Sequence, residues 1–195
     1  MANTRKMLIE VARQLFAEKG KKNVTMNDIA EASKKGRRTL YTYFTNKEEI
    51  YKAVIDQELD SIFQKLVAVS AQKKEPDVKL THHILAHLDA VKNVVDRNGS
   101  LRADFFRDIY EVERKRRKID IKEIALIRTI ITEGVQKNIF KRMDIDLSAI
   151  IIFYAIKGLE VPYIRQNISN QFEKNKNSIV EFVFNGIKRN TKLTI

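Results

Sequence analysis

Apolar residues recur at three- and four-residue spacing along almost the whole chain, and only six glycines and two prolines interrupt them in 195 residues. That period matches the turn of an α-helix rather than the alternation of a strand, so an all-α fold is expected. A first segment sets Leu8, Val11, Ala12, Leu15 and Phe16 on one stripe and stops at Lys19-Gly20, a basic last turn before a residue that accepts a left-handed backbone. Thr25 to Asp28 reads T-x-x-D, a capping box that opens a second helix with Ile29 and Ala30 facing inward. A turn over Ser33 to Gly36 leads to a short third helix, Arg37 to Phe44, and N-x-x-E from Asn46 to Glu49 starts a long fourth one.

Further amphipathic segments follow, carrying Ile84, Leu85, Leu88, Val91 and Val95, then Leu101, Phe105, Ile109 and Val112, then Ile124, Ile127, Ile131 and Val135. Leu147 to Ile164 is apolar around most of its circumference, and Ile179 to Ile187 concentrates Val180, Phe182, Val183 and Phe184, so both need cover on two sides. Gly158 and Pro162 predict a kink in the former.

With 37 Lys and Arg against 25 Asp and Glu, the formal charge is +12, the sign that suits a polyanionic partner. The chain has no cysteine, which excludes disulfides and thiolate metal sites and is compatible with a reducing cytoplasm. Glu10 and Arg13 interrupt the apolar stretch near the N-terminus, and no later run has the roughly 18 apolar residues of a membrane span, so a soluble, cytoplasmic, unprocessed chain with no membrane partner is expected.

Two short helices joined by a tight turn, the second polar and basic where it begins, have the geometry that lays one helix in a DNA major groove. That beginning is Gly36-Arg37-Arg38-Thr39, with Tyr41 and Tyr43 aimed to one side and Leu40 and Phe44 anchoring the helix. A-x-x-L-F at Ala12 to Phe16, K-G at Lys19 and Gly20, V-T-M-N-D-I-A at Val24 to Ala30 and T-L-Y-T-Y-F-x-x-K-E at Thr39 to Glu48 together resemble the signature of the TetR family of transcriptional regulators.

The resemblance implies a three-helix helix-turn-helix DNA-binding domain over residues 1–46 and a larger helical ligand-binding and dimerisation domain over 47–195, about nine helices in all. It implies that Thr25, Tyr41, Tyr43 and Lys47 hold the DNA backbone and that Arg37, Arg38, Thr39 and Thr42 face base edges. A solvated basic face is the plainer reading of Arg37 and Arg38. The turn departs from the family pattern: Lys34 stands where glycine is common, and Gly36 where a serine caps the recognition helix. Arg37-Arg38 also departs, and guanidinium groups suit guanine O6 and N7, which predicts a G·C contact in each half-site.

Phe63, Leu66, His87, Phe105, Phe106, Ile109 and Ile127 line a ligand pocket if the family architecture holds, and are plain core otherwise. The last two helices supply the dimer interface through Ile151, Ala155, Leu159, Ile179, Val183 and Ile187. His83 and His87 have the spacing of a metal pair, with His82 adjacent, but no third ligand is evident, so pocket-lining or surface roles are expected and no metal or cofactor. Arg114 to Lys118 is a solvated helix end or a second nucleic-acid contact. With no Ser/His/Asp constellation, no phosphate loop and few ionisable residues at apolar positions, an enzyme is not expected. The expected partners are an operator duplex, a second copy of the chain and a small apolar or amphipathic effector. A dimer that uses DNA as a platform for a protein partner is the alternative.

Overall fold

The computed structural model describes residues 2–98, 109–164, 178 and 180–188. Every regular element among them is a helix, and the strand-like pairing is one isolated bridge between Phe140 and Lys188. In chain order these are α1 (Ala2–Lys19), a 3-10 turn (Lys21–Asn23), α2 (Met26–Ala32), α3 (Arg37–Tyr43), α4 (Lys47–Ser70), α5 (Pro76–Arg97), α6 (Ile109–Gln136) and α7 (Ile145–Ile164), followed by helical residues 180–187. No described helix is long and apolar enough to cross a membrane. The residues divide into two compact units, one drawn from Met1–Ser61 and Asn93–Arg117, the other from Ile62–Lys92 and Lys118–Ile195.

The first unit is built around Leu8, Ile9, Ala12 and Phe16 of α1, Ile29 and Ala30 of α2, Leu40 of α3, and Phe44, all buried. Local chemistry sets its boundaries. Gly20 ends α1 at φ 79°, the left-handed backbone anticipated there. The capping box forms in full: Asp28 N donates to Thr25 Oγ1 at 3.2 Å, and Thr25 N donates to the Asp28 carboxylate at 2.7 Å. Those bonds to Thr25 hold the Asp28 carboxyl below its usual pKa. At the start of α4, Glu49 N donates to Asn46 Oδ1 at 2.9 Å, while the Glu49 carboxylate accepts from Thr45 N at 2.7 Å, one residue earlier than a simple box predicts.

A polar clasp completes this unit. Glu58 is buried and pairs with Arg97, with Arg13 Nε 3.9 Å from its other oxygen, while Arg13 Nη1 donates to the Arg97 carbonyl at 3.1 Å. Three helices, α1, α4 and α5, are thereby tied through one carboxylate.

The second unit packs Leu80, Ile84 and Leu88 of α5 against Ile127, Ile130 and Ile131 of α6 and Ala149, Ile152, Phe153 and Ile156 of α7, with Phe140 and Ile187 closing one end. After α6 the chain turns through Asn138 at φ 57°, and Ile139 and Phe140 both donate to the carbonyl of Gly134. The Phe140 ring lies where a Cβ on Gly134 would project, so only a residue without a side chain fits. Phe140 also stacks on Phe184, ring centroids 6.2 Å apart. Pro162 sits in the last turn of α7, where its missing donor costs a single ladder bond.

Candidate nucleic-acid interface

Helix α3 is short and held from one side. Leu40 is fully buried and Phe44, its C-cap, nearly so, and the Arg5 guanidinium lies 5.0 Å from the Phe44 ring centroid. The opposite side is open: Arg37, Arg38, Tyr41 and Thr42 are exposed, and Thr39 and Tyr43 are half-buried. Neither arginine forms an ion pair with a described residue, so both guanidiniums keep their full set of donors. Thr42 Oγ1 donates back to the Arg38 carbonyl at 2.9 Å, leaving its methyl and lone pairs outward.

The turn before α3 carries the cost of the two unusual residues. Lys34 adopts φ 52°, the left-handed region that favours glycine, and Gly36 caps α3 with no side-chain hydrogen bond. Ser33, buried, closes the end of α2 by donating to the Ala30 carbonyl at 3.0 Å.

Two expected backbone-holding residues are already engaged. Lys47 Nζ donates to the carbonyls of Lys21 (2.8 Å) and Lys22 (3.4 Å), pinning the 3-10 turn to the start of α4. Thr25 spends its hydroxyl on the capping box, donating to Asp28 at 2.7 Å. Lys21 pairs with Glu48 at 2.7 Å and lies over the Tyr51 ring, 3.9 Å from its centroid.

The residues expected around a pocket are only partly brought together. Ile127 belongs to the core of the second unit, Leu66 is fully buried, and Phe63 is half-buried with the Lys122 ammonium 5.4 Å from its ring centroid. Ile109 opens α6; Phe105 and Phe106 lie outside the described residues, as does Ile179. Of the interface candidates, Ile151 is 58% exposed and Ala155 exposed, Leu159 and Val183 are half-buried, and Ile187 is buried in this chain's own core.

Two expectations need correction. Ionisable residues do occupy apolar positions: Glu58, Glu123, Glu160, His83 and His87 are all buried. His83 is not a surface group, because Glu123 Oε1 sits 3.1 Å from its Nε2 and 2.7 Å from His87 Nδ1, while His87 Nε2 meets Glu160 Oε1 at 2.9 Å. Burial pulls the His87 imidazolium down, but the two carboxylates outweigh it and raise its pKa to about 9. Burial pushes Glu123 up, yet its bonds to His83 and His87 lower it to about 2. The i,i+4 histidines were the one signal of this cluster in the sequence; their glutamates lie 36 to 73 residues away.

A tri-helical head that buries one face of α3 and presents two unpaired arginines on the other defines a helix-turn-helix DNA-binding transcriptional regulator. Residues 8–54 match the family model described as bacterial regulatory proteins, tetR family, and the chain belongs to the TetR family of transcriptional regulators. It is 27% identical over 158 residues to the HTH-type transcriptional repressor KstR2 of Mycolicibacterium smegmatis, covering 75% of this chain and 72% of the relative. The fold is similar to a transcriptional regulator from Cytophaga hutchinsonii, with TM-score 0.78, 21% identity, and 94% and 98% of the two chains covered. It is also similar to the regulator FadR from Bacillus subtilis in complex with stearoyl-CoA, with TM-score 0.68, 22% identity, and 91% and 96% covered.

Proposed function

We propose that the protein is a homodimeric repressor that reads a pseudo-palindromic operator and is released from it by a small apolar or amphipathic effector. The observation that carries the reading is the open face of α3, where Arg37, Arg38, Tyr41 and Thr42 stand exposed over a helix anchored by Leu40. In this reading residues 1–46 form the reading head and 47–195 bind the effector and the second subunit. Arg37, Arg38, Thr39 and Thr42 meet base edges, and Tyr41, Tyr43, Lys47 and the Thr25 cap meet phosphates.

Dimerisation is supported by α7, whose Leu147, Ile150, Ile151 and Tyr154 are all exposed at helical spacing, with Phe182 83% exposed on the following helical segment. This stripe and Ala155 form the interface in the proposal; Leu159 and Val183 flank it, and Ile187 supports it from within the core. Release by an effector is supported by FadR with its bound stearoyl-CoA and by the name of the repressor KstR2. Effector and operator then favour different conformers, with coupling of about 1 to 3 kcal/mol that acts equally in both directions.

Selection from random duplexes at near-physiological salt tests the reading. An enriched inverted repeat with half-site centres one helical turn or a multiple apart is expected, because two symmetric heads enter successive major grooves. Salt-sensitive retention with no enriched sequence overturns the specific repressor and leaves a platform on DNA.

A further inference from the structure

The His83, His87, Glu123 and Glu160 cluster sits where α5, α6 and α7 are otherwise apolar, beside Ile84, Leu88, Ile127 and Ile156. Replacing such a buried ionic group by apolar packing is commonly neutral or stabilising, so its presence calls for a reason other than stability. Its hydrogen-bond arithmetic supplies one. His87 reaches a carboxylate oxygen from each ring nitrogen, and only the imidazolium carries two N–H donors. Glu123 Oε1 also takes the proton of His83 Nε2, so the neutral His83 ring is left with a lone pair on Nδ1. That atom is fully buried and has no hydrogen-bond partner. Two carboxylates and one imidazolium leave the four groups, counted by themselves, with one net negative charge.

We propose that this cluster recognises the polar end of the effector, and that this end is a protonated amine on an apolar body. The inference rests on the effector reading above. An ammonium supplies both things the cluster lacks, a positive charge and a donor for His83 Nδ1. A carboxylate adds a second buried negative charge and no donor; an alcohol adds a donor without charge. Among the described residues no three acidic or imidazole side chains converge as ligands for a metal ion, which favours an organic cation. An entering ammonium also competes with His87 for Glu123, loosening the bonds that tie α5 to α6 and α7 and giving the amine a means to shift the helices that follow the head.

The test compares three probes that share an eight-carbon chain, n-octylammonium, octanoate and octanol, by calorimetric titration of the full chain and by release of the selected operator duplex. Octylammonium is expected to bind at least about tenfold more tightly than either of the others, the scale of one charge-assisted hydrogen bond, and to release the DNA. In His83→Leu and Glu123→Gln, each checked for retained helix by circular dichroism, that preference shrinks about tenfold or more while octanol binding persists. Octanoate binding as tightly as octylammonium, or a preference unchanged in both variants, overturns the proposal. If the variants fail to fold, the three-probe comparison on the unaltered protein decides. Release by octanoate or octanol instead sinks the amine assignment and leaves the effector reading standing. Failure of all three to bind also sinks it, and failure of a wider panel of neutral and anionic compounds to release the DNA then removes the effector reading itself.

Discussion

Arg37 and Arg38 differ from Lys47 in what they already touch, and their substitutions differ accordingly. Both arginines are exposed and unpaired, whereas Lys47 holds two carbonyls of the 3-10 turn. Arg37→Ala or Arg38→Ala is expected to cost about 1 to 3 kcal/mol on the operator and to relax selectivity at one base pair, read by titrating a set of singly substituted duplexes. Lys47→Ala weakens all duplexes alike and flattens the salt dependence, and it also lowers the melting temperature because it unpins the turn. Equal losses on every duplex from the arginine variants make them phosphate clamps. Gly134 shows the opposite kind of residue, one defined by what it lacks. Gly134→Ala drives a methyl into the Phe140 ring and is expected to destabilise by about 1 to 3 kcal/mol, measured by urea unfolding. An unchanged midpoint there means that the Phe140–Phe184 stack moves aside freely.

Helix ends were the most legible elements, because caps are local. Lys19-Gly20, the box from Thr25 to Asp28 and the cap at Asn46 each mark a boundary found within a residue or so, since every partner lies within four positions along the chain. Faces were legible only in part. The periodicity of α7 is apolar all round, so it signals two-sided cover without saying which side the chain itself supplies. Packing answers that: Ala149, Ile152, Phe153 and Ile156 turn inward, and Leu147, Ile150, Ile151 and Tyr154 are left out. Ile151→Glu with Tyr154→Glu places charges in the proposed interface, where burial without a partner costs several kcal/mol. Sedimentation is expected to show monomer in place of dimer, with helix content retained; a dimer that survives both substitutions moves the interface elsewhere.

Across the whole molecule the His–Glu cluster predicts a pH dependence of stability. The raised His87 contributes fully below its ordinary value of 6.5, and that contribution fades as pH climbs toward about 9. The lowered Glu123 contributes above 4.5 and fades as pH falls toward about 2. The melting temperature is therefore expected to be highest between those ordinary values and to decline from pH 6.5 to 9. His87→Gln should flatten the alkaline limb in thermal denaturation; an equal decline in the variant assigns it to other groups. The same cluster marks where reading by pattern stops. His83 and His87 suggested a pair, yet nothing nearby in sequence named Glu123 or Glu160 as partners.

What the sequence by itself determined is what short-range forces decide: that the chain is helical, where the head's helices begin and end, and which side of α3 is anchored. Side chains three or four positions apart meet on one helix face whatever the rest of the chain does. Only tertiary packing decided which ionisable groups lie inside. Glu58 with Arg97, and Glu123 and Glu160 with the histidines, are joined across 36 to 73 residues. A buried charge is tolerated only where an opposite group from another helix arrives to meet it, and spacing along one chain segment carries no record of that arrival.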